Sequence, residues 1–190
     1  MTQAIIFDCF GVLARSGTWE HFTNTLPPDV DMDAVHALNH RYDAGHLTKE
    51  DFLYQIHDIT GHEPEMLEEI VDIEGLKNKA LLRYIEQDLK PRFKIGLLSN
   101  IATNWVRESF LTSEEQALFD EMVFSFEVGI TKPNPEIFQI ICSRLQVEPT
   151  DSVFIDDIDS NVVGAKQAGL IGLQYHNLAK LKQDLAELIN

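Results

Sequence analysis

Five short apolar runs constrain this chain more than any other feature of it: residues 3–7, 94–98, 122–126, 152–155 and 170–174. The first, Ala4-Ile5-Ile6-Phe7, is apolar without alternation and runs into Cys9-Phe10-Gly11-Val12-Leu13, a Gly-containing turn. That pattern reads as a strand buried in a parallel sheet. Helical patterns separate the later runs. Residues 135–146 place Ile137, Phe138, Ile140, Ile141 and Leu145 on one face behind Pro135, a residue suited to a first helical turn. Residues 159–168 open with Asp159 and close at Gly169, a good cap pair, and 178–189 carry Leu178, Leu181, Leu185 and Ile189 at helical spacing. Strand alternating with helix predicts an α/β fold, a three-layer Rossmann-like parallel sheet with right-handed crossovers.

One stretch breaks the rhythm. From about Thr18 to Asp88 there is no convincing strand, only helical segments near 18–26, 31–43, 48–59, 64–72 and 77–88. Thr48-Lys49-Glu50-Asp51 looks like a helix start ahead of Phe52, Leu53 and Ile56. Such a length of helix between the first two strands is too long for a simple crossover. The expected organisation is a core formed by 1–14 and 76–190, with residues 15–75 inserted as a helical cap over the strand ends.

Ligands of open α/β sheets collect at the carboxyl ends of the strands. Four points fall there: Asp8; Ser99-Asn100; Lys132 in Thr131-Lys132-Pro133-Asn134-Pro135; and Asp156-Asp157. Carboxylates from two strands meeting at one edge repel unless a cation lies between them. Mg²⁺ takes hard oxygen ligands, often one or two carboxylates completed by water and substrate phosphate. A Ser hydroxyl, an Asn amide and a Lys ammonium add hydrogen bonds and positive charge for an anion. Phosphoryl transfer needs this inventory of nucleophile, metal and donors.

The charge balance narrows the partners. Lys+Arg 15 against Asp+Glu 31 gives a net charge of −16. That argues against nucleic acid and against an anionic membrane surface, yet leaves room for a small anionic substrate at a local positive site. Cys9 and Cys142 lie far apart, outside any metal-ligand spacing, as in a reduced cytosolic chain. No apolar stretch approaches ~18 residues and no basic-then-apolar leader opens the sequence, so a cytoplasmic protein is expected. Nothing in the sequence sets an oligomeric state.

Taken together, Phe7-Asp8-Cys9-Phe10-Gly11-Val12-Leu13, Leu98-Ser99-Asn100, Thr131-Lys132-Pro133-Asn134-Pro135-Glu136-Ile137-Phe138 and Phe154-Ile155-Asp156-Asp157, with Asn161, Gly164, Ala165 and Gly169, resemble the haloacid dehalogenase-like hydrolase superfamily. The resemblance is to its phosphatase-type branch with a small helical cap, and it covers essentially the whole chain. It implies that Asp8 is a nucleophile forming an aspartyl-phosphate that water then hydrolyses. It implies further that Asp8, the carbonyl of Phe10 and Asp156 hold Mg²⁺, with Asp157 close by. Ser99 would bond the transferred phosphoryl group, Asn100 would support it, and Lys132 would neutralise nucleophile and phosphate together. Backbone amides at Phe10 and Gly11 are implied as further donors. The substrate class implied is a small phosphorylated metabolite.

The sequence departs from the family's pattern at one position. Most of its phosphatases carry a second Asp two residues after the nucleophile, which protonates the leaving oxygen and later activates water. Here that residue is Phe10, which does neither. A missing general acid costs about 10²–10⁴ in rate, roughly 3–5 kcal/mol of barrier, felt most by alkoxide leaving groups. Acyl and aryl phosphates would suffer less. His21, His36, His40, His46 and Arg41 are cap residues of the type that could substitute. Two other readings stay open: a catalytically silent phosphate- or metal-binding member, and a 2-haloacid dehalogenase, where an aromatic also follows the nucleophile. Against the dehalogenase stands the acidic pair Asp156-Asp157, which would repel a halocarboxylate.

Some local patterns compete with this reading. Cys9 to Ser16 matches the Cys, five residues, Arg, Ser spacing of cysteine phosphatases, but neighbours on a strand face opposite ways, so Asp8 and Cys9 do not share a pocket. His36 and His40 have a metal-binding spacing without a third ligand and read as a solvated helix face. Glu65, Glu68, Glu69, Asp72 and Glu74 read as wetted surface, Trp19 and Phe22 as cap core, and Trp105 as packing. Ser99 alone would be read as a cap for a helix beginning near Ala102.

Overall fold

The computed structural model describes residues 2–14, 22–24, 26–61 and 77–189. Its centre is a five-stranded, wholly parallel sheet in the order β3-β2-β1-β4-β5. The strands are β1 (Ala4–Phe7), β2 (Lys94–Ser99), β3 (Glu121–Phe124), β4 (Ser152–Asp156) and β5 (Ile171–Gln174). All five coincide with the apolar runs of the sequence to within one or two residues. Every residue of β1 and β4 is buried, as unbroken apolar runs in a parallel sheet require.

Side chains alternate across the sheet and divide its core in two. Ile5, Phe7, Ile95, Leu97, Val153 and Ile155 pack on one face with Leu81, Phe110 and Leu185. Ala4, Ile6, Leu98, Val123 and Phe154 pack on the other, against Ile137, Phe138 and Ile141. Three layers result, as the alternation of strand and helix predicts.

The helical insertion is described in part. Helix α1 (Met32–Asp43) starts at Asp31, whose carboxylate accepts from the Ala34 amide, and α2 (Lys49–Thr60) starts at Thr48, whose hydroxyl accepts from the Asp51 amide. The two pack through Val35, Leu38, Tyr42, Phe52, Leu53 and Ile56 with Phe22, a cluster separate from the sheet core. Tyr42 stacks on Phe52 with ring centroids 4.3 Å apart. The segment 64–72, Trp19, His21, most of 18–26 and the acidic run 65–74 lie outside the described residues.

Further α-helices among the described residues are α3 (Lys79–Tyr84), α4 (Ser113–Gln116), α5 (Ser125–Val128), α6 (Pro135–Leu145), α7 (Asp159–Gln167) and α8 (Leu178–Leu188). Three local expectations are corrected. The segment expected as one helix over 77–88 ends at Tyr84 and continues as a wide π-type turn, Ile85–Leu89. Strand β3 stops at Phe124, because the Ser125 hydroxyl leaves the ladder to accept from the Ile101 amide at 2.8 Å. Asp159 is inside the first turn of α7, whose cap position falls on Ile158; the Ile158 amide is held by the Asp156 carboxylate at 2.8 Å. No helix among the described residues is long and apolar enough to cross a membrane.

Candidate active site

Register brings the two distant acids together. Strands β1 and β4 are neighbours, and Phe7 pairs with Ile155, so the next residues along, Asp8 and Asp156, emerge side by side at the carboxyl edge. Adjacent strands are about 4.8 Å apart, which sets the spacing of the two side chains before any of them chooses a rotamer. Asp8 is 4% exposed and Asp156 fully buried. The Lys132 ammonium, 1% exposed, lies between them at 2.6 Å from Asp8 Oδ1 and 2.7 Å from Asp156 Oδ2.

Each of these groups is braced from behind. Asn100, just past β2, accepts from the Lys132 amide at 2.8 Å and donates to the Lys132 carbonyl at 3.0 Å. The loop 131–134 is thereby tied to the end of the neighbouring strand, and Asn134 then caps α6 by accepting from the Glu136 amide. Asn161, on the first turns of α7, donates to Asp156 Oδ2 at 3.0 Å. Gly164, one turn further on, makes the approach possible: a Cβ there would fall 2.3 Å from the Pro133 carbonyl oxygen.

The charges are arranged under stress. Burial, then the charge of Asp156, pushes the Asp8 carboxyl up to about 8, against the pull of Lys132. Burial pushes Lys132 down, but Asp156 and Asp8 outweigh it and hold the ammonium firmly protonated. Burial and Asp156 raise Asp157 as well. One lysine does not satisfy this many acidic oxygens. Ligand atoms of Asp8, Asp156 and Asp157 all lie within 4.8 Å of one another, and Asp157 Oδ1 is a buried oxygen with no hydrogen-bond partner among the described residues. Gly11, at φ +88°, makes room for that carboxylate: a Cβ there would sit 2.1 Å from Asp157 Oδ2. A hard divalent cation fits this donor set.

Residues 2–169 match the family model of haloacid dehalogenase-like hydrolases. The chain belongs to that family. It is 29% identical over 205 aligned positions to the D-ribitol-5-phosphate phosphatase of Bacteroides thetaiotaomicron, a match spanning all of both proteins. A family enzyme from the same organism, crystallised with magnesium and inorganic phosphate, superposes with a TM-score of 0.72 at 20% identity, covering 95% of this chain and 99% of that one. A 2-haloacid dehalogenase from Pseudomonas syringae pv. Tomato superposes with a TM-score of 0.65 at 17% identity, covering 99% and 100%. At such identities both structures speak for the fold alone.

Within this hydrolase fold, Asp8, Lys132, Asp156 and Asp157 converge, and Asn100 stands behind Lys132. The Ser99 hydroxyl is buried at the end of β2 with no partner among the described residues, so it does not cap the helix expected near Ala102. Phe10 is half-buried and stacks on Trp105, centroids 5.9 Å apart, with Phe110 continuing the stack at 5.1 Å. The Gly11 amide donates to the Ala14 carbonyl at 2.7 Å and is committed to its own loop, so the expectation of a free anion donor there is corrected to one of clearance. Cys9 is fully buried in the core, and burial raises its thiol well above the usual range, which removes it as a nucleophile. His36 and His40 join no cluster of three metal-binding side chains among the described residues.

Asn161, which the sequence offers only within the family resemblance, gains its role here as a donor to Asp156. One group escapes sequence reasoning: Asp43, in the last turn of α1. An acid at a helix C-terminus opposes the macrodipole and caps nothing, which is a readable anomaly.

Proposed function

We propose that this hydrolase is a Mg²⁺-dependent phosphatase of a small phosphorylated metabolite, working through an aspartyl-phosphate on Asp8. The observation that carries the reading is the buried Lys132 ammonium shared by Asp8 and Asp156, with an unpartnered Asp157 oxygen beside them. Asp8, Asp156, Asp157 and the Phe10 carbonyl would hold the ion. Bound there, Mg²⁺ supplies positive charge for the phosphoryl oxygens and for the ionised form of Asp8. Curated phosphatases among the relatives support the substrate class.

The chain's own residues account for the two halves of the reaction. An Asp8 oxygen attacks phosphorus, and the bond to the leaving oxygen breaks. The Ser99 hydroxyl and the Lys132 ammonium donate to the phosphoryl oxygens, where charge is spread in the transition state. Water then attacks phosphorus, releasing inorganic phosphate and the Asp8 carboxylate. Lys132 remains charged throughout, since the acids around it hold its proton. Phe10 takes no part in proton transfer; its ring serves the aromatic stack with Trp105. The strongly negative chain and the two free, buried cysteines suit a small-molecule enzyme in a reduced, cytoplasmic setting.

A screen of p-nitrophenyl phosphate, acetyl phosphate and sugar phosphates, with Mg²⁺ and with EDTA, tests the proposal. Turnover should require Mg²⁺ and vanish in Asp8→Asn. Metal-independent halide release from a 2-halo acid would overturn it, as would activity surviving in Asp8→Asn. Cys9→Ser should retain activity.

A further inference from the structure

We propose that Asp43, on the helical cap, is the general acid and base that the Phe10 position lacks, protonating the leaving-group oxygen of alkyl phosphates. The inference rests on the phosphatase reading and adds the proton donor to it. Three contacts bring the last turn of α1 to the carboxyl edge of the sheet. The Ser125 hydroxyl, at the end of β3, donates to the Asp43 carbonyl while accepting from the Ile101 amide, in the loop that follows Ser99-Asn100. His40 Nδ1 lies 3.4 Å from Thr131 Oγ1, next to Lys132 in sequence. Gly45 packs so closely that a Cβ would come 3.0 Å from the Phe126 carbonyl oxygen. Asp43 is three residues after His40 and so shares its helix face.

The carboxyl itself is held in an unusual state. Oδ2 accepts from Asn39 Nδ2 at 3.0 Å. Burial is the main influence on it and pushes it up to about 7, against the Asn39 amide and the Lys132 ammonium, the charged group acting on it. Asp43 still keeps some solvent access. The other cap residues of suitable chemistry fit less well: His36, His40, Arg41 and His46 are exposed, and His21 lies outside the described residues. A carboxyl poised near neutrality on a helix end that disfavours it matches the requirement for acid–base work.

The proton balance closes. Neutral Asp43 gives its proton to the leaving oxygen as the bond to phosphorus breaks and the Asp8–phosphorus bond forms. The resulting Asp43 carboxylate takes a proton from the water that attacks the aspartyl-phosphate, which restores the acid and frees Asp8.

The test compares leaving groups in Asp43→Asn and the wild type, using a polyol phosphate and p-nitrophenyl phosphate with Mg²⁺. The expected result is a loss of about 10²-fold or more in kcat on the alkyl phosphate and under about 10-fold on p-nitrophenyl phosphate, whose leaving group needs no proton. Equal losses on both substrates, or none on the alkyl phosphate, would overturn the assignment. The Mg²⁺-induced shift in Tm should match the wild type, which separates a lost proton donor from a lost fold. The unaltered protein offers a second reading should the variant not fold: the dependence of kcat on leaving-group pKa should steepen between pH 6 and pH 9, and a constant slope contradicts the assignment. Failure of the wild type to hydrolyse any phosphate ester would defeat the phosphatase reading itself, an outcome distinct from failure of Asp43 alone.

Discussion

Removing the Lys132 ammonium leaves Asp8 and Asp156 facing each other in a site closed to solvent. Truncating one partner of a buried, paired charge costs about 3–5 kcal/mol, because the charges left behind lose their compensation. Lys132→Met should therefore lower Tm in the metal-free protein and lower phosphatase activity by at least about 10²-fold. The Tm deficit should be larger at pH 8 than at pH 5.5, since protonation of Asp8 relieves the repulsion that the lysine otherwise offsets; thermal melts at the two values check this. A deficit independent of pH would mean that Lys132 acts only through packing. Asn161→Ala removes one of the two donors to Asp156 Oδ2, which keeps the Lys132 ammonium, and should cost less, about 1–3 kcal/mol for the lost hydrogen bond to a charged acceptor.

At the level of elements, the site depends on how closely the loop 131–134 approaches α7. A Cβ at Gly164 would meet the Pro133 carbonyl oxygen at 2.3 Å and the Pro133 Cβ at 2.8 Å, both parts of a stiff segment. Gly164→Ala should destabilise by about 1–3 kcal/mol, as overpacking does, and should move Lys132 with the loop. Activity should then fall further than stability alone explains, read as a lower kcat at temperatures where the variant is fully folded. The elements themselves were largely legible. Unbroken apolar runs identify β1, β2 and β4, and Thr48 and Pro135 mark helix starts by their chemistry. The misreadings have local causes. Ser125 leaves its strand because its hydroxyl has two partners brought by other elements, and Asp156 takes the amide of Ile158 and moves the start of α7. The Ser125 bonds are long-range and have no local sequence pattern, whereas the Asp156–Ile158 bond spans two residues and competes with Asp159 for the cap position. Asp8, Lys132 and Asp156-Asp157 could be picked out by position at strand ends, while the role of Asn161 and the place of Asp43 required the three-dimensional register.

At the scale of the whole molecule, acids outnumber bases and several of the acids are buried, so stability depends on pH and on metal. Asp8 and Asp43 are raised in the folded state from 3.8 to about 8 and about 7, and Asp157 is raised too. Folded protein thus keeps protons that unfolded chain releases, and stability falls as pH rises through this window. Against the upward push of burial, Lys77 and Lys90 hold Glu115 and Asp120 low, so their contributions are already complete above about pH 5 and do not oppose the trend. The metal-free protein should lose roughly 5 °C or more in Tm between pH 5.5 and pH 8. Mg²⁺ should reverse the trend, stabilising more at pH 8 than at pH 5.5 because its ligands must be ionised. At 100 times its dissociation constant it would add about 2.7 kcal/mol. A Mg²⁺ shift that is equal at both pH values would argue that the ion binds elsewhere.

The central claim is that Asp8 accepts the phosphoryl group beside a cation held with Asp156. A crystal structure grown with Mg²⁺ and beryllium fluoride tests it most directly. The account predicts beryllium trifluoride bonded to an Asp8 oxygen, Mg²⁺ between Asp8 and Asp156, and Lys132 and Ser99 donating to the fluorides. Fluoride density on another residue, or Mg²⁺ bound away from Asp8 and Asp156, would contradict it.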